Sequence, residues 1–115
     1  MSLSIIGAKE FCDQFTKAPE DWEVIDIREP YEYAIIRIKE AKLVPMSALE
    51  FRLEEIDWSK RVLFYCRTGS RSRFLSHRVA ERKDVIDLEG GIFALYSLGC
   101  DFLEWEEGKL GGYFS

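Results

Sequence analysis

The sequence is short of the side chains that metal centres and base-assisted hydrolases depend on. Its 115 residues include one histidine, His77, and three widely spaced cysteines with no Cys-x-x-C pair. Such a set gives a metal ion little to bind, and neither a metal nor a cofactor is expected. No apolar run exceeds the length of a strand, Val62 to Tyr65 being typical, which excludes a membrane-spanning helix and a membrane partner. Lys9 and Glu10 interrupt the N-terminal stretch before a signal-peptide core could form. An odd number of cysteines (Cys12, Cys66 and Cys100) without such a signal predicts free thiols in a reducing cytoplasm.

What remains is a soluble globular composition, 47% hydrophobic and 32% charged. No linker or internal repeat divides it, and a single domain over residues 1–115 is expected. The net charge of −5 is unevenly spread. Between Cys66 and Lys83 stand Arg67, Arg71, Arg73, Arg78, Arg82 and Lys83 against Glu81 alone. Cations gathered behind a cysteine in an otherwise acidic chain suggest a small anionic ligand. They argue against nucleic acid, which the rest of the surface would repel.

Met1-Ser2-Leu3 carries no structural signal. Ala8, Phe11, Cys12 and Phe15 form the apolar stripe of a short helix, with Cys12 a core residue. Trp22 to Ile27 reads as a strand covered on both faces, with Val24, Ile25 and Ile27 apolar. Asp26 inside it needs a partner, because an unpaired buried charge is costly, and is best read as part of a polar clamp. Arg28, at the strand's C-terminal end, is placed to approach a ligand. Pro30 opens a short turn, Ile35 to Glu40 has no period, and Lys42 to Pro45 suits a brief strand. Ser47 with Glu50 resembles a capping box for a helix carrying Leu49, Phe51 and Leu53. Further strands are expected at Arg61–Tyr65 and Asp84–Leu88, and helices from the cysteine loop to Arg82 and from Ile92 to Leu98. The apolar residues after Asp101 should dock on the core, with Gly111-Gly112 and the end fraying. Strands alternating with helices imply a parallel α/β sandwich.

The chemistry concentrates at Val62-Leu63-Phe64-Tyr65-Cys66-Arg67-Thr68-Gly69-Ser70-Arg71-Ser72-Arg73. A buried strand ends on a cysteine, and a short loop leads into a helix. A sulfur there faces backbone N–H groups, a helix N-terminus and guanidinium groups, all of which favour negative charge. Thiols so placed titrate in roughly the 3.5–7.5 range and attack without a dedicated base. His77, in the helix body, is not needed as one. Gly69 permits close approach of a ligand. The plain alternative is a structural cysteine before an ordinary basic helix.

A thiolate in an anion cradle can attack phosphorus or sulfane sulfur. Phosphate cradles of the cysteine-phosphatase type need Cys-x5-Arg. Here that position holds Ser72, and Arg71 comes one residue early. The tighter loop suits a smaller, sulfur-centred group.

Three stretches carry a resemblance: Val24-Ile25-Asp26-Ile27-Arg28-Glu29-Pro30-Tyr31-Glu32-Tyr33, Cys66-Arg67-Thr68-Gly69-Ser70-Arg71-Ser72, and Leu88-Glu89-Gly90-Gly91-Ile92. In order and content they resemble the single-domain rhodanese-like sulfurtransferases, over about Trp22 to Gly99. The resemblance implies a three-layer sandwich around a five-stranded parallel sheet. It implies a Cys66 persulfide formed from a donor such as thiosulfate and discharged to cyanide or a thiol, small or protein-borne. Amides of Arg67, Thr68, Gly69, Ser70, Arg71 and Ser72 would stabilise that persulfide. Arg67 and Arg71 would meet an anionic donor, while Asp26 and Arg28 would brace the site. Two departures stand out. Ile36-Arg37-Ile38-Lys39-Glu40-Ala41 occupies the place of the family's usual Gly-His-Ile-Pro-Gly-Ala, and Leu95 replaces the usual aromatic after Gly90-Gly91. Competing readings are a cysteine-dependent phosphatase or arsenate reductase, and a non-catalytic binding module of the same fold, whose usual mark is loss of the loop cysteine. Nothing in the sequence sets the oligomeric state.

Overall fold

Alternation along two central strands sorts the core into two layers. The computed structural model of the chain describes residues 1–114. Strand β1 spans Leu3–Ile6, helix α1 Ala8–Lys17 and strand β2 Trp22–Asp26. Then come α2 (Pro30–Ile35), β3 (Ile36–Ile38), β4 (Lys42–Leu43), α3 (Met46–Leu49) and β5 (Arg61–Tyr65). The chain continues through α4 (Ser70–Val79), β6 (Val85–Leu88), α5 (Gly91–Leu98) and β7 (Leu103–Trp105). Trp22 and Val24 of β2, with Leu63 and Tyr65 of β5, point to one face and pack on Phe11 and Phe15 of α1 and Ile92 and Leu95 of α5. Their neighbours Ile25, Val62 and Phe64 point to the other, against Leu49 of α3 and Leu75 and Val79 of α4. Both faces being covered, the strands read as continuous apolar runs.

The main sheet has the order β1-β6-β5-β2-β4, and every pairing in it is parallel. A five-stranded parallel sheet between helical layers is the architecture expected. Its central strand is β5, so Cys66, the residue after it, lies at the middle of the C-terminal edge, where open α/β sheets present their ligand sites.

Several local expectations need correction. Leu3 begins a real edge strand, paired with β6 from Leu3↔Val85 to Ile6↔Leu88. Only Ile6 of it is buried, too little alternation to read. Ile36–Ile38, which shows no period, forms a two-stranded antiparallel sheet with β7. The helix at Ser47 has only four residues, with Pro45 at its N-cap and Ser47 inside it. Phe51, placed on its apolar face, is 83% exposed. The capping box belongs instead to α2, where the Glu29 amide donates to the Glu32 carboxylate at 3.1 Å.

The cysteines also depart from expectation. Cys12 does pack against the core, but it is disulfide-bonded to Cys100, with Cα atoms 6.1 Å apart. The bond ties α1 to the turn after α5, elements 88 residues apart in sequence that the sheet brings side by side. Only Cys66 is free. The cysteine count therefore supplies no argument for a reducing compartment.

Candidate active site

Cys66 sits where β5 stops and the chain turns back over the sheet edge. Gly69 makes the turn with φ of +103°, a conformation that costs glycine nothing, and serves as the N-cap of α4. The turn aims two amides at the sulfur: Gly69 N–H donates to Sγ at 3.1 Å and Ser72 N–H at 3.4 Å. Ser72 is the third residue of α4, so its amide is one of those a helix start leaves unpaired. Both donors would stabilise negative charge on this sulfur or on one attached to it.

The back of the loop is held by α5. Ile92 N–H donates to the Cys66 carbonyl and Phe93 N–H to the Arg67 carbonyl, each at 3.0 Å. This contact requires Gly91: a Cβ there would stand 2.5 Å from the Arg67 oxygen and 2.6 Å from the Cys66 oxygen, at a φ of +62°. The Gly90-Gly91 pair is thus a packing requirement of the cysteine loop as well as a turn.

Beneath the loop lies a buried polar cluster. Asp26 and Arg28, both fully buried, form a two-point ion pair, Nε to Oδ1 at 2.9 Å and Nη2 to Oδ2 at 2.7 Å. The Tyr65 hydroxyl donates to Asp26 Oδ2 at 2.7 Å and accepts the Ile38 amide at 3.2 Å. Burial disfavours the Arg28 charge, but Asp26 outweighs it and raises the Arg28 pKa. Burial pushes the Tyr65 phenol well up, and the Asp26 carboxylate adds to it. Asp26 is the clamp the strand pattern suggested. Arg28 does not approach a ligand; its Nη2 also donates to the Ile36 carbonyl, and it binds β2 to β3 from inside the molecule. That is a correction to its sequence-based placement: Asp26, the Ile36 carbonyl and the Tyr113 phenol take up its donors, and the ring centroids of Tyr65 and Tyr113 lie 5.5 and 5.7 Å from the guanidinium carbon.

The cations expected to face a ligand are engaged within the chain. Arg71 makes a two-point pair with Glu32, at 2.8 and 2.9 Å. Burial would raise the Glu32 carboxyl, but hydrogen bonds from Arg71 and Tyr113 hold it down at about 2. Arg67 donates through Nε, at 3.0 Å, and Nη2 to the backbone carbonyl of Tyr113 and lies over the rings of Tyr113 and Phe114. Arg73 pairs with buried Asp87 at 2.8 Å, and Arg78 with Glu50. Half of the basic cluster seen in sequence, Arg71, Arg73 and Arg78, is paired with carboxylates from other segments. Thr68 and Ser70 are exposed at the rim.

The chain terminus completes the site. Gly111-Gly112 leads Tyr113 back to it, where the phenol accepts from Arg28 Nη1 at 2.7 Å and donates to Glu32 Oε2 at 2.6 Å. Burial and then the Glu32 charge push this phenol up to about 12. Phe114 packs on Phe93 and Tyr96 of α5. Of the end expected to fray, Tyr113 and Phe114 are docked, and Ser115 lies outside the described residues. Sequence alone assigns no site role to Tyr65, Glu32 or Tyr113, and to Gly91 only a place in the Gly90-Gly91 turn. For Glu32 the signal was its place in the Glu29-Pro30-Tyr31-Glu32 stretch; for Tyr113, only two aromatics after a Gly-Gly pair. Arg37, which replaces the usual histidine, is on β3 away from the sulfur. It pairs with Glu104 of β7 at 3.3 Å and lies over Tyr33. Leu95 is a core residue of α5.

Comparison with known proteins agrees with this geometry. A family model described as the rhodanese-like domain matches residues 8–98. A protein of Allochromatium vinosum named sulfurtransferase is 38% identical over 79 residues, covering 65% of this chain and 72% of that one. Among solved structures, a rhodanese-related protein from Thermoplasma volcanium superposes with a TM-score of 0.78 at 23% identity, covering 90% of this chain and 99% of its own. A rhodanese-like domain protein from Staphylococcus aureus gives 0.72 at 24%, covering 90% and 98%.

Proposed function

The chain belongs to the rhodanese-like domain family, and from that premise we propose that it is a sulfurtransferase working through a persulfide on Cys66. The observation that carries the reading is the pair of amides, from Gly69 and Ser72, converging on the one free cysteine at the sheet edge. The Cys66 thiolate attacks the outer sulfur of a sulfane donor such as thiosulfate. The donor's S–S bond breaks, sulfite leaves with the electron pair, and Cys66 holds an S–S⁻ group. The Gly69 and Ser72 amides face that charge as an oxyanion hole faces oxygen, and the other loop amides between Arg67 and Ser72 would add to it as the persulfide forms. A thiophilic acceptor, cyanide or a thiol, then attacks the terminal sulfur and returns the thiolate. Asp26 and Arg28 brace the site from below, and no metal or cofactor enters the reaction. A small anionic sulfur donor and a thiol or thiol-protein acceptor are the partners this chemistry calls for.

The test is intact mass after incubation with thiosulfate, followed by cyanide. The expected result is one added sulfur, absent in Cys66→Ser, removed by cyanide with formation of thiocyanate. Equal turnover by Cys66→Ser and the parent would refute the assignment. A non-catalytic binding module of this fold would take up no sulfur at all.

A further inference from the structure

A second buried polar seam runs between β6 and α4. Phe64 of β5 and Val85 of β6 share one layer with Leu75 and Val79 of α4, and Cys66 belongs to it too. Asp87 pairs in register with Phe64 and stands two residues beyond Val85, so its carboxylate faces α4. On the helix side the fully buried residues include Ser72 and Ser76 as well as the apolar pair. Arg73, next to Ser72, donates through Nε to Asp87 Oδ2 at 2.8 Å. Among the described residues this is the one ion pair joining α4 to the main sheet, since Arg71 reaches α2 and Arg78 the end of α3. The carboxylate is costly where it stands. Burial pushes the Asp87 carboxyl up, and Ser72, Arg73 and Ser76 offset only part of the rise. Its Oδ1 and the Ser76 hydroxyl meet no partner of normal hydrogen-bond geometry. An apolar side chain would fill this layer at less cost.

Resting on the reading of Cys66 as the sulfur carrier, we propose that Asp87 is a positioning residue for sulfur transfer: by holding Arg73 against β6 it fixes the first turns of α4 and keeps the Ser72 amide aimed at the charge on the transferred sulfur. Ser72 carries one of the two amides that reach the Cys66 sulfur, and the direction of its N–H follows the rotation of α4 about its axis. The tie to Asp87 is made one residue further along the same turn. A negative charge in this layer opposes an anion on Cys66, so what Asp87 contributes is hydrogen-bond geometry. An amide of the same shape supplies that geometry: the asparagine oxygen accepts from Arg73 Nε, and its nitrogen can donate to the Ser76 hydroxyl. A leucine supplies neither.

The test follows sulfur loading of Cys66 from saturating thiosulfate in a single turnover, by intact mass against time. The rate constant so obtained does not depend on how many molecules are folded. In Asp87→Leu it should fall about tenfold, as expected for losing a hydrogen bond to a charged group, and Asp87→Asn should restore most of it. Arg73→Gln changes a side chain that is 35% exposed and should lose rate in the same direction; it carries the test if Asp87→Leu does not fold. By NMR, the Ser72 amide should exchange with deuterium about tenfold faster in Asp87→Leu, while the Leu63 and Phe64 amides of β5 keep the parent's rates. A parent-like rate constant in Asp87→Leu, or in Arg73→Gln if the former does not fold, overturns the inference and leaves persulfide formation on Cys66 intact. Equal losses in the Asn and Leu variants overturn it as well, since they assign the effect to charge. So does faster exchange along β5 to the same degree as at Ser72, which marks Asp87 as a residue of the fold alone. If the parent itself gains no sulfur, the sulfurtransferase reading has failed and the inference falls with it.

Discussion

Replacing Glu32 by glutamine tests how the loop arginines are controlled. Glu32 is 2% exposed and accepts four hydrogen bonds: two from Arg71, one from the Tyr113 phenol and one from the Glu29 amide. Against burial, these hold its carboxyl at about 2 rather than 4.5. A displacement of that size corresponds to about 3 kcal/mol of folding stability; because Arg71 is 39% exposed, we expect about 2 kcal/mol. The carboxyl is depressed in the folded state, so the unfolded chain binds the proton first. The stabilisation is complete above about pH 4.5, the unfolded value, and is lost as pH falls through about 2. Urea unfolding of the parent and Glu32→Gln should therefore differ by about 2 kcal/mol at pH 7, and the difference should shrink steadily between pH 4.5 and 2. Equal midpoints at pH 7, or a gap that stays constant across that range, would refute the account of Glu32 as the anchor of Arg71 and Tyr113.

Other elements of the site give sharper yes-or-no outcomes. Asp26→Ala leaves Arg28 buried without its carboxylate and should cost about 3–5 kcal/mol in chemical denaturation; a cost under 1 kcal/mol would mean the pair is hydrated or dispensable. Gly91→Ala forces a Cβ into the Cys66 and Arg67 carbonyls and should destabilise by about 3 kcal/mol, with sulfur loading of Cys66 falling alongside. Near-normal stability of that variant would show that α5 does not press on the loop. Arg37→His should change sulfur transfer little, since Arg37 faces Glu104 and Tyr33, and a large loss of activity would contradict its placement on the two-stranded sheet. In denaturant without reductant, the oxidised protein should show one titratable thiol, Cys66; reduction should expose three and lower stability by up to about 4–5 kcal/mol, the loop-closure value for a bond spanning 88 residues.

The amino-acid sequence by itself determined the parallel α/β class, the strands at Trp22 and Arg61, and the cysteine loop with its helix. These follow from local rules: both-face apolar runs, a left-handed glycine at Gly69, and amides left unpaired at a helix start. Such signals lie within a dozen residues of one another, and periodicity and turn chemistry report them directly. Only the tertiary structure decided what the charges do. Arg71 finds Glu32 from 39 residues away, Arg67 finds the carbonyl of Tyr113 from 46, and Cys12 finds Cys100 from 88. A guanidinium in a sequence is equally suited to a substrate, a carboxylate or a carbonyl. Which one it meets depends on which distant segment the fold brings within about 3 Å, where a charge-assisted bond forms. The chain end shows the same limit. Gly-Gly-Tyr-Phe carries no local signal of order, and its docking rests on partners supplied by α2, the strand ends and α5 together.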